Sequence, residues 1–465
     1  MAESEIKVVS LNCWGLKFVS KDRHVRVAAI ADALSKSTHD IVALQEIWVQ
    51  ADFERVRQSL SVRLPYNKLF HSGAIGAGLA IFSRWPIIET STNPYSLRGE
   101  PMDAFGGDWF AGKGACSVVI KHPVLGQVQI FNTHLYAKGG EDGPEYNRTH
   151  RLINAWEFAK LTKQAANLGR YVIACGDFNS IPQSLTMAII RDYSGLTDSW
   201  VATHPRQSPP SGMISPIEGV EQYGITADSP LNSYRDSGPS GSSIVRTYQG
   251  KRLDYILYRQ PAGGIYRRSS LRLESTHCRV VFADPIPSGQ CSYSDHFGVE
   301  SYLTIQSPDE IENNSEDSND TNGSSVWVDA QGSKDDVPVQ GHAAVPDLVS
   351  SLSADTISSM LLALTTSYRI SKDRSHRELS VFVLCILLLF ALIVSSSWVP
   401  LPWVNPIFVF FTIFVAWVAT TMLYEGWIFG RWELKALLTV IEELDLYQKN
   451  LETHSRAAPS GRERW

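Results

Sequence analysis

The chain has no cysteine framework. Its six cysteines, Cys13, Cys116, Cys175, Cys278, Cys291 and Cys385, are scattered and form no CxxC pair, which argues against a disulfide scaffold and fits a reducing compartment. Basic charge is not in excess either. Lys and Arg number 42 against 48 Asp and Glu, for a formal charge of -6, and Asp309, Glu310, Glu312, Glu316, Asp317 and Asp320 account for all of it. The remainder is neutral, which argues against a polycationic nucleic-acid binder, so no nucleic-acid partner is expected. An apolar leader is also missing at the start. Met1 to Lys7 carries acids and runs straight into the strand-like Val8-Val-Ser-Leu, so a cytosolic body is expected, with the sequons Asn147-Arg-Thr149 and Asn322-Gly-Ser324 unused.

What is present is length and alternation. At 465 residues the chain exceeds a single core, which seldom grows past roughly 250 to 300 residues. Strand-like runs fall at Val8 to Trp14, Ile41 to Glu46, Gly78 to Ser83, Ala115 to Ile120, Val128 to Thr133, Tyr171 to Gly176, Leu253 to Tyr258 and Gly298 to Thr304. Helical patterns fall at Asp22 to Leu34, Ala51 to Leu60 and Glu145 to Leu168. This mixed order predicts α/β layers over residues 1–306. No internal repeat is visible. The Pro/Ser/Gly-rich stretch from Thr203 to Thr247 reads as a long surface insertion, and the acidic segment 307–345 as a disordered linker.

The C-terminal part is of another kind. Ile357, Met360, Leu361, Leu364 and Tyr368 recur at helical spacing in 346–378, giving an amphipathic helix that either packs on a neighbour or meets a membrane. Leu379 to Val399 and Pro406 to Tyr424 are charge-free and near the ~20 residues that span a hydrocarbon core. Residues 379–424 therefore read as a transmembrane hairpin. Its join, Pro400 to Asn405, carries no Lys or Arg, while Lys372, Arg374, Arg377, Arg431 and Lys435 flank the pair, which puts both flanks in the cytosol. Beyond it, in 425–465, Leu434, Leu437, Ile441, Leu444 and Leu451 keep a three-four spacing suited to pairing with another helix, and a homo-oligomer is one outcome of that.

Six short motifs carry the chemistry: Leu11-Asn12-Cys-Trp14, Gln45-Glu46, Asn132-Thr133-His134, Gly176-Asp177-Phe178-Asn179, Arg252-Leu253-Asp254-Tyr255 and Ser294-Asp295-His296. Nearly all lie at a strand end, where α/β sheets build sites from the loops of different strands. The carboxylates, amides and imidazoles are the groups that bind a hard cation, activate water and stabilise phosphoryl charge. Gly107 to Lys113 is not a phosphate-binding P-loop, because Gly114 follows the lysine where Ser or Thr is required.

In this order the motifs resemble the DNase I-like endonuclease, exonuclease and phosphatase superfamily over about residues 6 to 304. Within it the chain looks most like the membrane-anchored neutral sphingomyelinases and the fungal inositol phosphosphingolipid phospholipases C, through Asn12-Cys-Trp-Gly15, Gly78-Leu-Ala-Ile-Phe-Ser83, Asp108-Trp-Phe-Ala-Gly-Lys-Gly114 and the terminal hairpin. The resemblance implies a DNase I-like four-layered α/β sandwich, two packed mixed sheets flanked by helices, with a C-terminal two-helix transmembrane hairpin. It implies hydrolysis of a sphingolipid phosphodiester to ceramide and a phosphorylated headgroup, dependent on Mg²⁺. An inositol-phosphate phosphatase or a nuclease of the same superfamily is the alternative.

Site roles follow from the same resemblance. Glu46, with the amide oxygen of Asn12, is expected to hold the metal. His296 is the candidate general base, steered by Asp254; Asp177 is expected to orient the attacking water or hold a second metal, and is the rival of His296 for the proton. Asn179 and His134 donate to phosphoryl oxygens, and Asp295 braces the site. Asp108 and Lys113 match a switch that anionic phospholipid (phosphatidylserine, phosphatidylglycerol or cardiolipin) turns on. A membrane such as the endoplasmic reticulum or the mitochondrial outer membrane suits the hairpin, and the headgroup, phosphoinositol or phosphocholine, stays open.

Overall fold

The computed structural model describes residues 4–103, 107–140, 143–205, 207–235, 243–262, 271–289, 291–307, 351–398 and 402–457. Apart from Ser307, the expected acidic linker lies outside these residues, as do Gly106, part of the Pro/Ser/Gly-rich stretch and the start of the hairpin join.

Among the described residues, twelve strands form two sheets. The first contains β1 (Glu5–Asn12), β2 (Ile41–Gln45), β3 (Tyr66–Leu69), β4 (Ala80–Ser83), β11 (Arg272–Val281) and β12 (Gly298–Gln306), in the order β11-β12-β1-β2-β4-β3. The second contains β5 (Ile87–Pro94), β6 (Gly114–His122), β7 (Gly126–His134), β8 (Tyr171–Asp177), β9 (Thr197–Asp198) and β10 (Asp254–Arg259), in the order β5-β6-β7-β8-β10-β9. Both sheets are mixed: β1 runs parallel to β2 and β7 parallel to β8, and the other pairings are antiparallel.

Alternation along each strand decides which core a side chain joins. In β8, Tyr171, Ile173 and Cys175 enter the core between the sheets, while Val172 and Ala174 face outward onto helix α3 (Glu145–Asn167). In β1, Ile6 and Val8 point between the sheets, and Val9 and Leu11 pack beneath α1 (Arg23–Lys36) and α2 (Gln50–Leu60). The result is four layers, helices on sheet on sheet on helix, as expected. Shorter helices α4 (Leu185–Ala188), α5 (Ser199–Thr203), α6 (Pro216–Tyr223) and α7 (Ser243–Tyr248) decorate the second half.

The C-terminal helices are not a detached appendage. Helix α8 (Ala354–Ser395) is a single 42-residue element that contains both the amphipathic stretch and the first apolar span. Helix α9 (Asn405–Leu423) returns, and a π-helical turn, Tyr424–Phe429, passes without a break into α10 (Gly430–Ala457). Both long helical segments are apolar and long enough to cross a membrane, by length and composition. Ile357, Met360 and Leu364 of α8 and Leu437, Val440 and Leu444 of α10 join the core built on α3. That contact explains why 14 of the 23 residues of α3 are buried, on more than the single stripe of a surface helix. The apolar seam of α10, suited to pairing with another helix, packs through Leu437, Ile441, Leu444 and Leu451 on the core shared with α3 and α8.

Candidate active site

Strand register brings the motifs to one end of the two sheets. Asn12 pairs with Gln45 across β1 and β2, His134 with Asp177 across β7 and β8, and Asp254 with Asp177 across β10 and β8. Because β10 and β12 run antiparallel to their neighbours, their starts lie at the same end, which carries in Asp254 and, just ahead of β12, His296. Glu46, Trp14 and Asn179 all have positive φ, of 54°, 44° and 47°. For non-glycine residues this is costly backbone, found where a side chain must be re-aimed as its strand ends. Gly176 has a structural reason of its own: a Cβ there would stand 2.1 Å from the Thr133 carbonyl oxygen.

His296 and Asp254 form a close pair, with Nδ1 2.8 Å from Oδ2. Asp254 is 1% exposed, and among the described residues no hydrogen-bond partner reaches its Oδ1. The other imidazole nitrogen faces Asp177, with Nε2 3.9 Å from Oδ2. Asp177 is buried too. It accepts from the Asn12 amide at 3.0 Å and the Asn179 backbone N–H at 2.9 Å. Burial pushes its carboxyl up to about 7, with Asp254 adding to the rise and His296 opposing it. For His296, burial works against the charged ring, but the Asp254 and Asp177 carboxylates overcome it and hold the imidazole well above its ordinary range.

A second acidic centre lies at Glu46 and Asp295. Burial raises both carboxyls, and the charge of Asp295 raises Glu46 further. The nearest donors are the Asn12 amide, 3.2 Å from Glu46 Oε1, and the Ser294 hydroxyl, 3.1 Å from Asp295 Oδ1. Two half-buried carboxylates side by side are a donor set suited to a hard cation. Asn12 Oδ1 accepts from the Trp14 N–H at 3.0 Å, while its amide nitrogen donates to Glu46 and Asp177. Asp177, Asp254 and His296 also place ligand atoms within 4.8 Å of one another.

Next along the chain from Glu46, an open cleft of about 290 Å³ is walled by Ile47, Trp48, Gln50, His71, Ser72 and Ile75. The family profile described as Endonuclease/Exonuclease/phosphatase family matches residues 9–296, which span this whole constellation. The chain belongs to that family. Inositol phosphosphingolipids phospholipase C of Schizosaccharomyces pombe is 35% identical over 446 residues, covering 95% of this chain and 93% of its own length. The Saccharomyces cerevisiae protein of the same name is 32% identical over 64% of each chain, and Homo sapiens sphingomyelin phosphodiesterase 2 is 32% identical over 56% of each. The chain is thus a phosphoric diester hydrolase of the sphingomyelinase and phosphosphingolipid phospholipase C group. The 95% coverage takes in the hairpin helices as well as the body.

Two features of this family member could not be read from its motifs. Lys113 is only 2% exposed; its Nζ lies 2.7 Å from Asp108, 3.1 Å from His134 Nε2 and 3.2 Å from the Leu135 carbonyl oxygen. The pair is therefore part of the site wall and not an ion pair on a surface loop. The expected surface insertion, for its part, contains buried supports. Thr226 Oγ1 accepts from the Leu253 and Asp254 N–H groups at 3.1 and 3.3 Å, its carbonyl accepts from Phe297 N–H at 2.7 Å, and Asn232 donates to the Ser294 carbonyl at 2.9 Å. These bonds fix the Asp254–His296 pair from behind. A lone Thr in a Pro/Ser/Gly-rich stretch gives no signal of that role.

Proposed function

We propose that the chain hydrolyses the phosphodiester of a sphingolipid in the manner of a phospholipase C, releasing ceramide into the bilayer and a phosphorylated headgroup into water, with Mg²⁺ as cofactor and anionic phospholipid as activator. The observation that carries this reading is the buried Asp254–His296 pair facing Asp177 in a chain whose likeness to a phosphosphingolipid phospholipase C runs through body and hairpin alike.

Asp177, raised to about 7, is the group that takes the proton of the attacking water. His296 is already protonated near neutrality and acts as a cation toward the phosphoryl oxygen beside that water. Groups 3.9 Å apart serve the same side of phosphorus, since entering and leaving oxygens lie in line on opposite sides. Asp254 fixes the imidazole's orientation, and Asn179 positions Asp177 through its backbone N–H. Glu46 and Asp295 would hold the Mg²⁺, which supplies positive charge to the phosphoryl and leaving oxygens.

The deciding experiment incubates purified full-length protein, in mixed bilayers with Mg²⁺, with sphingomyelin and separately with an inositol phosphosphingolipid. Ceramide should appear from at least one of them. No ceramide from either, with release of phosphate from a soluble inositol phosphate, would transfer the chain to the phosphatase reading.

A further inference from the structure

A turn at the mouth of the site carries two apolar side chains that the body leaves uncovered. Phe18 is 91% exposed and Val19 64%, between Lys17 and Lys21. Scattered exposed apolar residues are ordinary. An adjacent pair at the tip of a firmly held turn calls for a partner. Buried Arg26 donates to the carbonyls of Cys13 at 2.9 Å, Trp14 at 2.7 Å and Lys21 at 2.8 Å, so one guanidinium grips both ends of the loop. The Leu16 carbonyl accepts from the N–H groups of Val19 and Ser20 at 3.3 and 3.0 Å and closes the tip. The apolar pair is held outward.

Hydrogen bonds connect this turn to the foot of the hairpin. Gly15 N–H donates to the Glu46 carbonyl at 2.9 Å, an approach that any Cβ at position 15 would block. Past Glu46, Ile47 N–H donates to the Gly78 carbonyl at 3.0 Å, and in the loop leading to Gly78 the N–H groups of Ala74 and Ile75 donate to the Phe110 carbonyl at 3.0 and 3.2 Å. Ile75 and Phe110 are themselves 43% and 40% exposed. Next to Phe110, Trp109 packs edge-on against Phe429 with ring centroids 5.1 Å apart, at the end of the π-helical turn that follows α9. Backbone hydrogen bonds thus link the base of the membrane segment, by way of the half-exposed Phe110 and Ile75, to the turn that carries Phe18.

We propose that the Lys17–Lys21 turn is a bilayer wedge: Phe18 and Val19 enter the interfacial layer of the membrane that the hairpin spans, while Lys17 and Lys21 meet anionic headgroups. This rests on the reading that the substrate is a bilayer lipid. Docking on α8 and α10 anchors one side of the body; a second contact beside Glu46 holds the mouth itself against the lipid surface.

The six native cysteines are buried, so Phe18→Cys in the full chain accepts a polarity-sensitive dye selectively. Val62→Cys is the control, since Val62 is 92% exposed and follows the end of α2 remote from Glu46. In phosphatidylcholine vesicles containing phosphatidylserine, the dye at position 18 should emit at shorter wavelength and be quenched by brominated acyl chains, while the dye at 62 stays aqueous. The Phe18→Ser/Val19→Ser double variant should lose about tenfold in rate on vesicle substrate and stay within about twofold of the parent on a water-soluble short-chain phosphodiester. A dye at 18 as aqueous as that at 62 overturns the wedge. So does a double variant with the parent rate on vesicles, or one that loses equally on both substrates. A parent inactive on sphingolipid whose dye at 18 is embedded would remove the substrate reading and leave the wedge standing.

Discussion

Lys113 Nζ stands 3.1 Å from His134 Nε2, a buried cation against an imidazole. An ammonium has only protons to offer, so Nε2 accepts and the ring's own proton sits on Nδ1. Burial, then the charges of Lys113 and His296, hold His134 well below its ordinary range. In this state the ring cannot donate through Nε2 to a phosphoryl oxygen, and the Asp108–Lys113 pair sets its role.

Lys113→Ala should therefore cut the rate on anionic bilayers by at least about tenfold, on the scale of lost electrostatic positioning, while thermal unfolding stays cooperative. The charge-swapped Asp108→Lys/Lys113→Asp variant remakes an ion pair but places no donor on His134, so it should recover stability more than rate. The check is rate against the fraction of phosphatidylserine. Equal curves for Lys113→Ala and the parent at every fraction would reduce the pair to a structural contact.

The pH profile of kcat should be bell-shaped. Below about 7 the Asp177 carboxyl is protonated and cannot take the water's proton, so activity rises with pH through that range. At higher pH activity falls as His296 loses its proton, at a point above the usual histidine range because Asp254 and Asp177 outweigh burial. Asp254→Asn removes the first of those charges. Its alkaline limb should move to lower pH and kcat should drop on the order of 10² to 10⁴; an unmoved alkaline limb would detach that limb from His296.

Chelation should abolish turnover and Mg²⁺ restore it. The raised carboxyls of Glu46 and Asp295 bind protons more tightly in the folded than in the unfolded chain, so their charged forms weaken the metal-free fold at neutral pH, and that penalty is relieved as pH falls through the raised values. Glu46→Gln should consequently unfold no lower than the parent in chelator. The parent should gain ~2.7 kcal/mol at an ion concentration near 100 times Kd, and the variant much less. Differential scanning calorimetry with and without Mg²⁺ measures both, and a variant that unfolds earlier in chelator would contradict the repulsion.

Much of this architecture is legible in the residues themselves. The central strands are short apolar runs closed by polar site residues, so β1, β2, β7, β8 and β10 and their meeting at one end could be read directly. β3, β5, β9 and β11 could not. β5, Ile-Ile-Glu-Thr-Ser-Thr-Asn-Pro, is an edge strand whose middle is exposed, and β11 alternates around charged and hydroxyl residues. The amide of Asn12 turns inward because a backbone N–H claims its oxygen, a three-dimensional competition that no motif records. The stripes on α8 and α10 announce that something covers them, and an apolar stripe does not say what.

Here the cover is the body itself, and that decides the topology of the hairpin. Arg374 of α8 bonds both Glu100 of the body and Glu433 of α10, and Glu433 lies 3.1 Å from His150 of α3. Further along α10, Glu443 accepts from Trp156 at 2.6 Å and Lys160 at 2.7 Å. The helix entering the hairpin and the helix leaving it are thus bound to one body, which places both flanks on one side of the membrane. From the bias of Lys and Arg around a join that has none, we propose that this side is the cytosol. A tag before Ile6 and a tag after Arg456 should both be digested by protease added to the cytosolic face of sealed membranes. Protection of one tag alone would contradict the docking of α8 and α10, whereas protection of both would keep the docking and reverse the orientation. Leu364→Asp with Leu444→Asp, at two side chains of the shared core that are 0% exposed, should release the body from the hairpin, sensitise α10 to protease and lower the rate on vesicles more than on a soluble phosphodiester, since what is lost is the placement of the site at the lipid surface.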